Sequence, residues 1–332
     1  MTGLRSWFER LWLGSAYQTR LWPVLALLSQ IYALLLWLDR KRRRVKALPV
    51  PLVVVGNLTV GGSGKSILVA ALVQELSAIG LRVAIVSRGY GRRGKDLLEV
   101  SSSSRAEEVG DEPLMLWQQT AVPVVVASDR VQAVHYLQQR HQPQLVIADD
   151  GLQHWSWRPD LGLLLLDPER GLHNDKLLPW GPWRQPVSQI QHFAHRLVKL
   201  QPEQVNPWPD SLSMSMVAAK LVPLYADGPA LPEAGEALQI VTSVAQPQSV
   251  LKLAQSQGLV IQGVSAFADH HLFSPNDLQA LQTRSLLVTA KDAVKLKGLV
   301  GPRCWVLQPE IQILPQQQWQ QLLAQVVDLV NS

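Results

Sequence analysis

Residues 51–66 read PLVVVGNLTVGGSGKS, and residues 67–79, ILVAALVQELSAI, follow before Gly80. The run 51–56 is apolar after its proline, as a strand buried on both faces requires, and the stretch after Ser66 has the length and composition of a helix. Strand, glycine-rich turn and helix in that order make a phosphate-binding loop. Gly61, Gly62 and Gly64 let the backbone N–H groups converge on phosphate oxygens around Ser63. Lys65 is placed to neutralise the β- and γ-phosphates of ATP, and the Ser66 hydroxyl to ligate Mg²⁺. The general expression G-x-x-x-x-G-K-[ST] is not met, because its first position holds Thr59. The competing reading is a loop with a chance GKS. The GGSGKS core and its strand–helix context argue for nucleotide.

Working outward, the next strand, 82–86, runs into SRGYGR at 87–92, where Arg88, Arg92 and Arg93 form a basic glycine-rich turn suited to an anionic ligand. A solvated basic loop is the alternative there. A third buried strand, LVIA at 145–148, ends in Asp149, Asp150 and Gly151. An acidic pair at the carboxyl end of a strand is where such folds keep their second Mg²⁺ determinant. GDEP at 110–113 brings Asp111 and Glu112 ahead of a helical stretch, and ASDR at 127–130 puts Asp129 and Arg130 just after a strand. Loops following parallel strands line one crevice, so these residues can converge despite their separation in sequence. Taken singly, Asp111 reads equally well as a helix cap and Arg130 as a surface ion partner.

Upstream, residues 21–38 (LWPVLALLSQIYALLLWL) carry no charge over eighteen positions. As a helix they span ~27 Å, just under the ~30 Å hydrocarbon core. Arg40, Lys41, Arg42, Arg43, Arg44 and Lys46 follow in place of a small-residue cleavage site, which disfavours a cleaved signal and holds that side on the cytoplasmic face. The 332-residue chain has a formal charge of +5, but residues 1–46 hold nine Lys or Arg against Glu9 and Asp39, leaving the remainder net acidic. Positive charge confined beside an apolar helix is a membrane arrangement and argues against nucleic-acid binding. The single cysteine, Cys304, excludes an internal disulfide framework.

From 201 to 235 the chain is rich in proline, serine and short apolar runs, as a linker or ribbon would be. Beyond it, strands are expected at 239–244, 259–261, 285–289 and 304–306, helices at 248–257, 275–281 and 291–296, and an amphipathic helix at 317–329. The expected architecture is α/β: a P-loop α/β/α domain over 47–200, a β-ribbon linker over 201–235, a smaller α/β domain over 236–332, and a membrane-associated helical segment over 1–46.

The segments GNLTVGGSGKS, SRGYGR, GDEP, ASDR, ADDGLQH, LLPWGPWRQP, FADHHLF and TAKDAVKL occur in this order along nearly the whole chain. In them the sequence resembles the tetraacyldisaccharide 4′-kinase family. That resemblance implies Mg-ATP-dependent phosphorylation of the 4′-hydroxyl of a tetraacyldisaccharide 1-phosphate in lipid A biosynthesis, at the cytoplasmic face of a Gram-negative inner membrane. It implies Lys65 and Ser66 on phosphate and Mg²⁺, with Glu112, Asp149 and Asp150 nearby. Asp111 becomes the acceptor-activating carboxylate, supported by His270 of FADHH. Arg88, Tyr90, Arg130, Gln153, His154, Asn174 and Arg184 become contacts to substrate or phosphates. Neither nucleic acid nor an obligatory protein partner is expected. The sequence departs from the family pattern at Ser63 and Ser66, usually threonine, at Ala290, usually glutamate, and at Trp180 and Trp183, which imply altered packing or lipid contacts. The rival reading is a membrane-attached P-loop ATPase that positions protein partners. Such ATPases usually carry a lysine before the paired glycines, where this chain has Val60.

Overall fold

The structure is a computed structural model that describes Trp12, residues 22–171, 174–201, 204–281 and 284–331. Helix α1 (Trp22–Arg42) precedes β1 (Leu52–Gly56), α2 (Lys65–Ala78), β2 (Val83–Ser87), β3 (Leu98–Glu99), α3 (Asp111–Thr120), β4 (Val124–Val126), α4 (Arg130–His141), β5 (Leu145–Asp149), β6 (Leu161–Leu166) and β7 (His195–Leu200). There follow β8 (Leu212–Pro223), β9 (Ala237–Thr242), α5 (Pro247–Ser256), β10 (Val260–Ala266), β11 (Ser285–Thr289), α6 (Ala290–Leu296), β12 (Cys304–Leu314) and α7 (Gln316–Asn331).

Among the described residues twelve strands form one continuous mixed sheet in the order β10-β9-β11-β12-β8-β7-β6-β1-β5-β2-β4-β3. The short, uniformly apolar strands are buried on both faces. In β1, Val53 and Val55 enter one core with α2 and α3, while Leu52 and Val54 enter another with α4. The far half repeats the scheme: Leu286 and Val288 of β11 face one cluster and Leu287 the other. Alternation of side-chain direction along each strand makes both halves three-layered.

Apart from the edge strand β3, which pairs antiparallel with β4, the sheet consists of two parallel blocks running in opposite directions, joined where β8 pairs antiparallel with β12. Strand β7 pairs with β8 only over Leu212–Ser215, and β11 pairs with β12 only over Cys304–Leu307, which is the opposite end of the β8–β12 ladder. The carboxyl ends of both blocks therefore face each other across the middle of this ribbon. Loops after parallel strands carry ligand sites, so the register alone brings two sets of such loops together.

Two features differ from the sequence expectation. The 304–306 strand extends to Leu314, supplying half the ribbon from a segment assigned to the smaller domain. Helix α7, assigned to the same domain, packs back into the first block: Trp319, Leu322, Leu323 and Val326 join the core beside Leu72 and Leu76, and the Trp319 indole donates to Glu75 (3.0 Å). Its amphipathic period was legible, but the core it faces was not.

Helix α1 rests on the first block by one narrow face. Leu25 and Ser29 are buried, the Ser29 hydroxyl donates to the Leu177 carbonyl (3.1 Å), and the Tyr32 hydroxyl donates to the Arg184 carbonyl (3.1 Å). Trp22, Val24, Leu27, Leu28, Ile31, Leu34, Leu35 and Trp37 remain exposed. By length and composition it is the one described helix able to cross a membrane.

Candidate active site

A cleft of about 1660 Å³ opens at the ribbon centre, between the carboxyl ends of the two blocks, and extends to α1. Residues 61–66 line its floor. Gly64 caps α2 in the left-handed region (φ 91°), a conformation that costs glycine little and turns the first amides of α2 toward the cleft. Lys65 is buried, with its ammonium 3.2 Å from Asn57 Oδ1 and 3.9 Å from Asp150 Oδ1.

Strand β5 delivers the acidic pair. Asp149 is 2% exposed, and its Oδ1 has no hydrogen-bond partner among the described residues. Burial, then the charges of Glu112 and Asp150, push its carboxyl up to about 7 against the pull of Lys65 and Arg130. Asp150 stays ionised: burial opposes its charge, but Lys65 and Arg184 overcome that and lower its pKa. The Arg184 guanidinium donates to both Asp150 oxygens (2.9 and 3.1 Å) and approaches Gln153 Oε1 (3.4 Å). Arg130, 7% exposed, donates to the Asp150 carbonyl (2.8 Å) and lies over the Trp157 ring. Burial brings its guanidinium down to about 10, leaving it charged at neutral pH.

The opposite wall comes from both blocks. The turns bearing Gly89 and Gly110 pack back to back: Gly110 has φ 95°, and a Cβ there would sit 3.2 Å from Gly89 Cα. This close approach sets Arg88 and Tyr90 beside the start of α3, where Asp111 is 5% exposed. His270, from the loop after β10, directs Nδ1 to both Asp111 oxygens at 3.0 Å. Its backbone is left-handed (φ 61°), uncommon for a residue with a side chain and typical of constrained functional positions. Burial opposes ionisation of Asp111, but the His270 hydrogen bond and the Lys291, His270 and Lys295 charges hold its carboxyl down to about 2. Lys291 Nζ lies 3.3 Å from Glu112 Oε1, 3.2 Å from Asp269 Oδ1 and 3.4 Å from His270 Nε2. Burial disfavours its charge, yet Glu112, Asp111 and Asp269 raise its pKa above the ordinary lysine range.

Gly61, Gly62, Ser63, Gly64, Lys65, Ser66, Arg88, Tyr90, Glu112, Arg130, Asp149, Asp150, Gln153, Arg184 and His270 thus share one cleft. Three expected contacts do not line it. Asp111 sits behind His270. His154 lies behind Arg130, edge-on to Trp157 (4.5 Å), and burial with the neighbouring Arg130 charge lowers its pKa to about 4, so it is neutral at pH 7. Asn174 braces the 174–184 loop. Its side chain donates to the Trp180 carbonyl (3.1 Å) and accepts from the Lys176 amide (3.0 Å), and its carbonyl takes the Trp183 indole N–H (2.8 Å). Trp183 is buried in the first block's core, which makes its departure from the family pattern one of packing. Asp129 caps α4 through the amides of Val131 and Gln132.

Sequence reasoning did not single out Asn57, Asp269, Lys291 and Lys295, which pair with or sit beside the expected site residues. The signal for the lysines was their four-residue spacing at a helix start after a strand, which puts both ammonium groups on one face.

No group of three His, Cys, Asp or Glu side chains among the described residues gathers as a metal cluster. The unpartnered Asp149 oxygen, its carboxyl pushed up by burial and then by its acidic neighbours, nonetheless fits a position that a cation completes.

Residues 18–328 match the family model described as Tetraacyldisaccharide-1-P 4′-kinase. The tetraacyldisaccharide 4′-kinase of Hamiltonella defensa subsp. Acyrthosiphon pisum is 35% identical over 331 residues, covering 97% of this chain and 98% of that one. The enzyme of the same description from Polaromonas naphthalenivorans is 39% identical over 305 residues, covering 89% and 85%. A crystal structure of LpxK from Aquifex aeolicus in complex with ATP superposes with a TM-score of 0.75 at 27% identity, covering 92% of this chain and 98% of that one. Fold, site and kinship agree, and the chain belongs to the tetraacyldisaccharide-1-phosphate 4′-kinase family.

Proposed function

We propose that this ATP-dependent kinase transfers the γ-phosphate in line to the 4′-hydroxyl of a tetraacyldisaccharide 1-phosphate, with the acceptor entering from the membrane side of the cleft. The observation carrying this reading is the juxtaposition, in one cleft, of the 61–66 loop from one block and the His270 imidazole from the other. Phosphoryl transfer leaves little covalent chemistry to the protein, so positioning and charge stabilisation dominate. The α2 amides and Lys65 hold the β- and γ-phosphates, and Arg184 and Arg130 fix the acidic pair beneath them.

On the acceptor side, Asp111 receives the His270 Nδ1–H, leaving Nε2, which lies 3.4 Å from Lys291 Nζ, as the basic atom of the ring. The sugar hydroxyl loses its proton late, to His270, and Asp111 stabilises the resulting imidazolium. Asp111 therefore acts through His270, the reverse of the order the sequence suggested, because the carboxylate is the buried member of the pair. Ser66, Glu112, Asp149 and Asp150 are the oxygen donors available to Mg²⁺, which supplies neutralisation of phosphate charge when bound.

The 47–200, 201–235 and 236–332 division serves as a working description of two α/β bodies about a ribbon, with α7 returning to the first. Helix α1 attaches the protein to the cytoplasmic face of the inner membrane. Its exposed apolar face and the following basic cluster suit an anionic leaflet, and Tyr32 and Leu36 place it at the cleft mouth. The test is incubation of detergent-dispersed protein with γ-labelled ATP and tetraacyldisaccharide 1-phosphate. Label on the 4′-oxygen is expected. Label only in free phosphate, whatever the acceptor, would favour the partner-positioning ATPase.

A further inference from the structure

Lys295 lies one turn beyond Lys291 on α6, and its side chain is only 2% exposed. It does not line the cleft, so it touches neither nucleotide nor acceptor. Its ammonium is nonetheless fixed on every side. Ser243 Oγ lies at 2.5 Å, Asp292 Oδ1 at 3.3 Å, Asp111 Oδ2 at 3.5 Å, and the Phe273 ring centroid at 5.4 Å. Asp292, fully buried, is held in turn by the Thr242 hydroxyl (2.8 Å), the Ser243 amide (3.0 Å) and the Thr289 hydroxyl (2.7 Å). Thr242 ends β9, Thr289 ends β11, and Asp111 begins α3 in the other block.

A buried ammonium costs several kcal/mol to desolvate unless it is fully paired. Lys295 completes its shell with a carboxylate from the other block, the same carboxylate that takes His270 Nδ1. From this we infer that Lys295 is a positioning residue for phosphoryl transfer. Anchored by Asp292 and Ser243 to the ends of β9 and β11, it fixes Asp111 Oδ2 and so sets the plane in which Asp111 grips the imidazole. The inference rests on the Asp111–His270 reading of the acceptor side.

The charge-free Lys295→Met retains most of the aliphatic stem. It is expected to lower kcat, normalised to folded protein, by about 30-fold while KM for ATP and for the lipid acceptor stays within about threefold. Combined with Asp111→Asn, it should add little further loss, because both changes release the same carboxylate–imidazole geometry. Ser243→Ala removes one anchor without removing a charge, and is expected to lower kcat by about fivefold with the same unchanged KM values. If Lys295→Met does not fold, Ser243→Ala and its cycle with Asp111→Asn decide the matter alone. An impaired Asp111→Asn beside a normal kcat in Lys295→Met, or in Ser243→Ala where that variant stands alone, overturns the inference and leaves the dyad standing. Full additivity with Asp111→Asn overturns it too. A near-normal Asp111→Asn overturns the dyad and the inference together.

Discussion

The two sides of the cleft are built in opposite ways. The floor proposed for the nucleotide comes from one block: residues 61–66 follow one strand and open one helix, and the acidic pair lies at the end of the neighbouring strand. The side proposed for the acceptor rests on His270, which lines the cleft, and Asp111 behind it, 159 residues apart and carried by strand blocks of opposite direction. A site made by one strand–turn–helix unit keeps its geometry whenever the first block is folded. A site made across a ribbon exists only when the two blocks are correctly apposed. ATP binding should therefore be robust and transfer fragile, an arrangement that suppresses transfer to water before the acceptor completes the cleft.

The largest expected effect lies on the floor. Lys65→Ala removes the buried ammonium aimed at the phosphates and should lower transfer by about 10³-fold, with ATP affinity reduced as well. On the wall, Asp111→Asn should lower single-turnover transfer by about 10²-fold while ATP affinity, measured by equilibrium titration, stays within about threefold. Loss of ATP binding in both variants would erase the distinction between the two sides.

Stability separates them further. Asp149 is held near pKa 7, above its unfolded value of 3.8, so the folded state binds its proton more tightly than the unfolded chain. Its contribution to stability is complete below about pH 4 and is lost as pH rises through about 7. Asp149→Asn removes that loss, and should raise the melting temperature of nucleotide-free protein at pH 7.5 by roughly 2–4 °C while abolishing turnover. The carboxylate of Asp111 is shifted the other way, to about 2, and its stabilisation is present above about pH 4 and lost as pH falls through 2. Asp111→Asn should lower the melting temperature at pH 7.5. Equal signs for the two variants would contradict the electrostatic contrast. The smallest effect is expected where α1 meets the floor. Tyr32→Phe deletes one hydroxyl donor to the Arg184 carbonyl and should change kcat/KM by no more than about threefold.

This contrast also explains what was legible in the sequence. A phosphate loop requires specific residues at adjacent positions, so GGSGKS could be proposed as one from local sequence, and the buried strands were visible as unbroken apolar runs. Asp111 and His270 were singled out through resemblance, since nothing local distinguishes a proposed site aspartate from a helix cap. Lys291 and Lys295 escaped because an ammonium on a helix usually faces solvent, and only the opposed strand blocks turn this face inward. Asn174 shows the converse. It is polar and sits among site motifs, and it braces its loop through two backbone groups while its carbonyl holds an indole. The destination of α7 was hidden as well: an amphipathic period fixes which residues are buried, not which core receives them.

The most direct test is a double-mutant cycle between Asp111→Asn and His270→Ala, read as single-turnover transfer from saturating ATP to saturating tetraacyldisaccharide 1-phosphate, with ATP affinity and folding as controls. If one dyad assembled from both blocks handles the acceptor proton, the double variant should lose less than the sum of the two single losses, by about 1–3 kcal/mol. Additive losses would mean that the residues act independently and that the 3.0 Å contact between them has no part in the chemistry.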